Sequence, residues 1–204
     1  MTTSLLDGAQ LRDFTPLAER AVSVDAASLI RFRRGPATVA GYVRLPYAVL
    51  AGRTLAVAAG DEPSLDVTMA AADFLHWMQD PAAVPTAKDA HWLSALPPRA
   101  AWQRVELVPD SVIRDLIRSG ASLAPDAASR RGQEALLASV VLTATAPGQR
   151  VEVPLGPLSA LTRMGFLPRD AQAAVDVAPG WIRVATTLGS TFVSTGNALG
   201  MLTL

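Results

Sequence analysis

His76 and His91 are the only imidazoles in the chain, and there is no cysteine. Thiolate nucleophiles, thiolate metal sites and disulfides are therefore excluded. Asp73 and His76 lie three apart, which puts both on one side of a helix, and Asp89 or His91 would have to complete a metal site. Both fall opposite the apolar stripe of their helix, so they are expected to be solvated and no metal is expected. Asp61, Glu62, Asp66 and Asp73 supply carboxylates for acid–base work, but their grouping ahead of a helix fits a polar loop with an N-terminal cap. Gly120-Ala121-Ser122-Leu123-Ala124 comes nearest to a nucleophile elbow. It lacks the closing glycine and follows a helix rather than a strand. Neither Gly-x-Gly-x-x-Gly nor Gly-x-x-x-x-Gly-Lys occurs, so no phosphate loop and no cofactor are expected.

Arginine is the remaining chemistry-bearing residue. Arg130, Arg131, Arg163, Arg169 and Arg183 are the candidates for phosphate or partner contacts. Seventeen of the 18 basic residues are arginine and only Lys88 is lysine. A GC-rich coding bias gives such a ratio without any function. The 18 basic residues are balanced by 18 acidic ones, so no global field favours nucleic acid or an anionic membrane. Trp77, at the edge of a helical apolar stripe, is the candidate interface anchor, because amphipathic aromatics concentrate binding energy.

The elements that must carry these residues follow from periodicity and punctuation. Thr15-Pro16 starts a short helix, with threonine as the cap and proline in the first turn. Ser28–Arg33 partly alternates, Arg34-Gly35-Pro36 turns, and Thr38–Leu45 resumes as strand. Pro46 interrupts it, and Tyr47–Leu50 and Arg53–Ala58 follow. Val67–Gln79 shows helical spacing with Asp66 as cap. Residues 81–99 carry four prolines and form the connection, with a short helix at Thr86-x-x-Asp89. Ala101–Leu107 is a strand, and Asp110 opens a helix stopped by Gly120. Pro125-Asp126 starts the longest helix, to about Thr145. After it come a strand, a helix, the strands 173–177 and 181–187, and a third at 191–193. The apolar tail 196–204 is short enough to dock on the body.

Two stretches share one recipe. Arg104-Val105-Glu106 leads through Pro109 to Leu116-Ile117-Arg118-Ser119-Gly120, and Arg150-Val151-Glu152 leads through Pro154 to Leu161-Thr162-Arg163-Met164-Gly165. Each predicts a strand entering a helix whose Leu116 or Leu161 is buried. Trp102-x-Arg104 and Trp181-x-Arg183 repeat as well, with alternation putting each Trp and Arg on one face.

The expected fold is α+β: an N-terminal antiparallel sheet with a helix, then C-terminal strand–helix units closing in a β-hairpin. The expected organisation is 1–80, a proline-rich connection at 81–99, and 100–204. The start of the chain lacks signal-peptide character and no stretch is long and apolar enough to span a bilayer. A cytoplasmic protein with no membrane partner is expected. Charged residues make up only 18 per cent of a half-hydrophobic chain, which favours burial in a homodimer. The leading function is therefore a non-catalytic regulatory or interaction protein that self-associates. The runner-up is a nucleic-acid binder, because helix, strand, helix and hairpin come close to a winged-helix order. An enzyme would have to work with carboxylates, hydroxyls and two histidines.

Overall fold

A computed structural model describes residues 11–57, 65–122 and 129–195. The chain divides into two compact units. Unit 1 is Met1–Leu45 with Ala51–Ala95, and unit 2 is Pro46–Leu50 with Leu96–Leu204.

Unit 1 begins with α1 (Thr15–Val24), which has proline in its first turn but Phe14, not Thr15, as the capping residue, without a side-chain cap bond. Strands β1 (Leu29–Arg34), β2 (Thr38–Arg44), β3 (Val49–Ala56) and β4 (Asp66–Ala70) follow, in the order β4-β1-β2-β3. The interruption expected between residues 50 and 53 is absent, and β3 runs through Gly52 unbroken. Strand β1 pairs antiparallel with both neighbours, Phe32 standing opposite Gly41 on β2 and opposite Val67 on β4. Its alternation is strict: Ile30 and Phe32 are buried, while Arg31 and Arg33 are half-buried on the other face. The core is aromatic. Phe14 meets Phe32 edge-on at 5.2 Å between ring centroids, and Phe32 meets Phe74 at 5.2 Å. Gly41 leaves the room for this stack, because a Cβ there would stand 2.8 Å from the Phe14 ring.

The helix expected over 67–79 is shorter. Residues 66–70 form β4, and α2 is Ala71–Gln79. Val67 and Thr68 are β-branched, and pairing with β1 outweighs the helical spacing. Asp66 therefore caps nothing and pairs with Arg31 instead. The edge of β4 is closed in its middle, since the Thr68 N–H donates to Asp89 Oδ1 at 2.6 Å and the Lys88 N–H donates to the Thr68 carbonyl at 2.7 Å. That use of Asp89 replaces the expected capping box, and Asp89–His91 makes only a 3₁₀ turn.

Unit 2 holds β5 (Gln103–Pro109), α3 (Asp110–Ser122), α4 (Arg130–Ala138), β6 (Val140–Ala146), β7 (Gln149–Pro154), α5 (Leu155–Arg163), β8 (Gln172–Ala178), β9 (Trp181–Ala185) and β10 (Ser190–Ser194). The sheet order is β10-β9-β8-β5, and β6 pairs with β7 in a separate hairpin. Two expectations fail here. Gly120 does not stop its helix, which continues to Ser122. The long helix to Thr145 is a short one, capped by Ser129 accepting from the Gly132 N–H, and then β6. Val140, Val141, Thr143 and Thr145 are β-branched and prefer the pleat. The proposed start at Pro125 lies outside the described residues, as do Asp61, Glu62 and the tail from 196.

Helix α5 is the centre of unit 2. Leu155, Gly156, Pro157, Leu158, Ala160 and Leu161 are all buried, so the helix is apolar almost all round, as a helix inside a core must be. It ends in a Schellman motif. The Phe166 N–H bonds to the Leu161 carbonyl and the Gly165 N–H to the Thr162 carbonyl, with Gly165 at φ +66°. Both Arg-Val-Glu stretches enter helices as strands, at β5–α3 and β7–α5. Leu161 is fully buried, but in α3 the deep position is Ile113 and Leu116 is half-buried.

Candidate functional site

Asp176 is the one charged residue in a strand that otherwise reads Gln-Ala-Ala-Val-x-Val-Ala, and it is 2 per cent exposed. Burying a carboxylate is costly unless cations and hydrogen bonds accompany it. Antiparallel pairing supplies them, because Arg104 on β5 and Arg183 on β9 both stand directly opposite Asp176. Arg104 Nε donates to Oδ1 at 2.6 Å, and Arg183 donates to Oδ2 from Nε at 2.9 Å and from a terminal nitrogen at 2.8 Å. The Arg183 guanidinium lies over the Trp102 ring, 4.4 Å from its centroid. Trp102 in turn packs on Phe192, which stands opposite Arg183 on β10. All of these lie on the sheet face opposite α5, since Val184 and its partner Thr191 turn toward the helix, where Thr191 Oγ1 donates to the Pro157 carbonyl.

A cleft of about 710 Å³ opens at the Pro179-Gly180 end of β8 and β9, and Arg104, Asp176 and Arg183 do not line it. Its apolar lining includes Val151, Val177, Ala178, Trp181 and Ile182, and Gln103, Gln149, Arg150 and Glu152 supply the polar part. The tight turn Pro179-Gly180, with Gly180 at φ +75°, brings β8 and β9 to one wall. Polar side chains around an apolar cleft suit reversible docking of an amphipathic segment.

The sequence-derived candidates are scattered. Arg130 and Arg131 are exposed in the first turn of α4, Arg163 is exposed at the end of α5, and Arg169 is exposed in the loop after it. Arg183 alone joins the cluster, and its charge is engaged by Asp176. Trp77 is half-buried, its ring 6.5 Å from Phe74 at the rim of the unit 1 core. His76 and His91 are exposed, Asp73 lies 3.9 Å from Lys88 Nζ, and no group of three metal-ligating residues occurs among the described residues. Among the described residues α5 is the one helix between β7 and the β8–β9 hairpin, and it is largely buried, so the further helix that a winged-helix order needs there for recognition is missing.

Sequence reasoning found the Trp-x-Arg pattern but missed its anion. The available signal was a lone aspartate inside an apolar strand. It also missed the matching arrangement in unit 1, where Arg31 Nε bonds Asp66 Oδ1 at 2.6 Å and the guanidinium lies 5.9 Å from the centroid of Trp92. The Arg31 pKa is raised above its ordinary value. The Asp66 hydrogen bond is the largest cause, assisted by the charges of Asp66 and Asp89 and opposed by burial.

The fold resembles that of bacterial sliding clamps. The DNA polymerase sliding clamp of Bacillus subtilis superposes with a TM-score of 0.58 at 13% identity, covering 90% of this chain and 62% of the clamp. The beta subunit of the Streptococcus pyogenes DNA polymerase gives 0.57 at 12% identity, covering 90% and 62%. The Helicobacter pylori beta clamp bound to a DNA ligase peptide gives 0.52 at 8% identity, covering 95% and 68%. The chain thus spans about three fifths of the first two clamps' length. At these identities the likeness is one of fold. No curated protein matches the sequence. Two family models meet near the end of the proline-rich connection and together cover the chain almost to its end. The chain belongs to both, to the domain of unknown function DUF8010 over residues 1–102 and to the domain of unknown function DUF8185 over residues 97–198.

Proposed function

We propose that this chain is a non-catalytic, cytoplasmic interaction protein of the sliding-clamp fold, that it works as a homo-oligomer, and that it takes partner segments at the unit 2 cleft. The observation that carries this reading is the clamp likeness over 90% of the chain. One of the similar clamps is bound to a DNA ligase peptide, so this fold is seen docking a protein segment. The chemistry of the cleft agrees with docking. Its lining combines apolar Val177, Trp181 and Ile182 with polar Gln103, Arg150 and Glu152, as a docking cleft for an amphipathic segment would. Among the described residues no helix is long and apolar enough to cross a membrane.

Self-association is tested by expressing two copies with different tags in one cell. Purification through one tag should recover the other in comparable amount, in a form stable to dilution into the micromolar range. Recovery of one tag alone contradicts the homo-oligomer.

A nucleic-acid reading stands second, favoured by Arg130, Arg131, Arg163 and Arg169, which are exposed and have no ion-pair partner among the described residues. Contacts to phosphates release counterions, so such binding falls by about 0.9 log units per contact per log unit of salt. The expected result is no duplex binding tighter than non-specific levels in a salt titration. A steep salt slope that disappears in the double variant Arg163→Ala, Arg169→Ala would exchange the two readings.

A further inference from the structure

The proline-rich segment at the end of the first family match is fixed at two points by the same device. At Trp92 the indole N–H donates to the Ser94 carbonyl at 2.7 Å, and the ring faces Arg31, whose guanidinium is held by Asp66. At Trp102 the indole N–H donates to the Pro98 carbonyl at 3.0 Å, and the ring faces Arg183, whose guanidinium is held by Asp176. In each unit the tryptophan lies on the sheet face that the helices leave, because its arginine alternates with buried residues on the helix side. An aspartate fixes each guanidinium in place, so the ring meets a planar cation already oriented for stacking. Lys88 and Asp89 add two backbone-directed bonds to the edge of β4.

One residue of this segment is strained. Ala101 has φ +67°, a left-handed conformation that costs a non-glycine residue free energy and persists only where its surroundings impose it. Ala101 is exposed, lies next to Trp102, and lines the cleft together with Gln103. The fixed indole is the neighbour that can impose the conformation.

We propose that residues 81–102 form a strap, buckled in its middle by Trp92 and at its end by Trp102, each over an aspartate-held arginine, and that the Trp102 buckle positions the Ala101–Gln103 wall of the cleft against the strain at Ala101. Trp102 is thus a positioning residue, and opening the buckle lets that wall move while the core of unit 2 stays folded. This goes beyond the docking reading and does not depend on it. The strap is read from local opening, and docking is read from association.

Trypsin provides the test, because Arg99–Ala100 lies inside the strap and Arg163–Met164 lies at the end of the buried helix α5. Cleavage in the fast-closing regime follows the population of the open state. Trp102→Ala should speed cleavage at Arg99–Ala100 roughly tenfold while leaving Arg163–Met164 within about twofold, and amide exchange at Gln103, which pairs with Val177, should rise by a similar factor. Trp92→Ala should do the same at Lys88–Asp89 with Arg20–Ala21 in α1 as its control. Trp102→Phe, which keeps an apolar ring but loses the bond to Pro98 and part of the cation attraction, should give about threefold at Arg99–Ala100. The proposal is overturned if the strap bonds are cut no faster in these variants, or if the control bonds accelerate in parallel, which would mean global unfolding.

Discussion

Replacing Leu161 with alanine should destabilise unit 2 by about 3 kcal/mol, whereas Leu116→Ala should cost about 1 kcal/mol. The two leucines occupy matching places in the two strand–helix stretches, so sequence alone assigns them equal effects. The structure separates them. Leu161 is fully buried on a helix whose neighbours Leu158 and Met164 are also fully buried, and truncation leaves a cavity that close-packed neighbours cannot fill. Leu116 is half-buried on α3, where solvent and flexible side chains relax into the space. The deep position on that helix is Ile113, and Ile113→Ala should resemble Leu161→Ala. Urea unfolding followed by far-ultraviolet circular dichroism gives the comparison. Equal losses at Leu116 and Leu161 would mean that α5 is not the central element of unit 2.

Asp176→Ala is the second large effect, expected at about 2–3 kcal/mol by the same measurement. Removing the carboxylate leaves two guanidinium groups converging from β5 and β9 with no anion between them. The loss stays below the range for fully buried pairs, because the Arg104 side chain is 57 per cent exposed and reaches water. Arg183 is less free, at 25 per cent exposed and covered by Trp102. A double-mutant cycle should therefore give a larger coupling for Asp176 with Arg183, about 2 kcal/mol, than with Arg104, at most about 1 kcal/mol. The reverse order would show that stacking on Trp102 does not hold Arg183 in place. Asp176→Asn keeps an acceptor oxygen and should fall between the wild type and the alanine variant.

Much of the architecture was legible because pattern and packing agree. The alternation read over Ser28–Arg33, observed as a strand over Leu29–Arg34, the Arg34-Gly35-Pro36 turn and the Pro179-Gly180 turn all hold, and so does the α+β class. The stretch ending Met164-Gly165-Phe166 shows its stop because Gly165 must adopt a positive φ. The two largest misplacements share one physical reason. Between residues 66 and 79, and again between 130 and 146, apolar residues recur at helical spacing across a junction where a helix and a strand are joined within one or two residues. Periodicity cannot place that junction. The β-branched residues Val67, Thr68, Val140, Val141, Thr143 and Thr145 could have, had propensity been weighed against the stripe.

The cluster was less legible than the fold. Trp102, Arg104 and Arg183 were visible as a repeated pattern, but only pairing of β5, β8 and β9 brings Arg104 and Arg183 onto Asp176. No local rule gives that register. The five arginines singled out for phosphate contacts come from four separate places, and their common residue type says nothing about their common position. Lys88 and Asp89 occupy the middle of the β4 edge, which leaves less of that edge free for pairing with another strand.

Sedimentation equilibrium of the purified chain at micromolar concentration tests the central claim most directly. A non-catalytic interaction protein working as a homo-oligomer should sediment as a species of at least twice the chain mass of 21.4 kDa, with dissociation visible only on further dilution. A single species at the chain mass throughout the concentration range would contradict it.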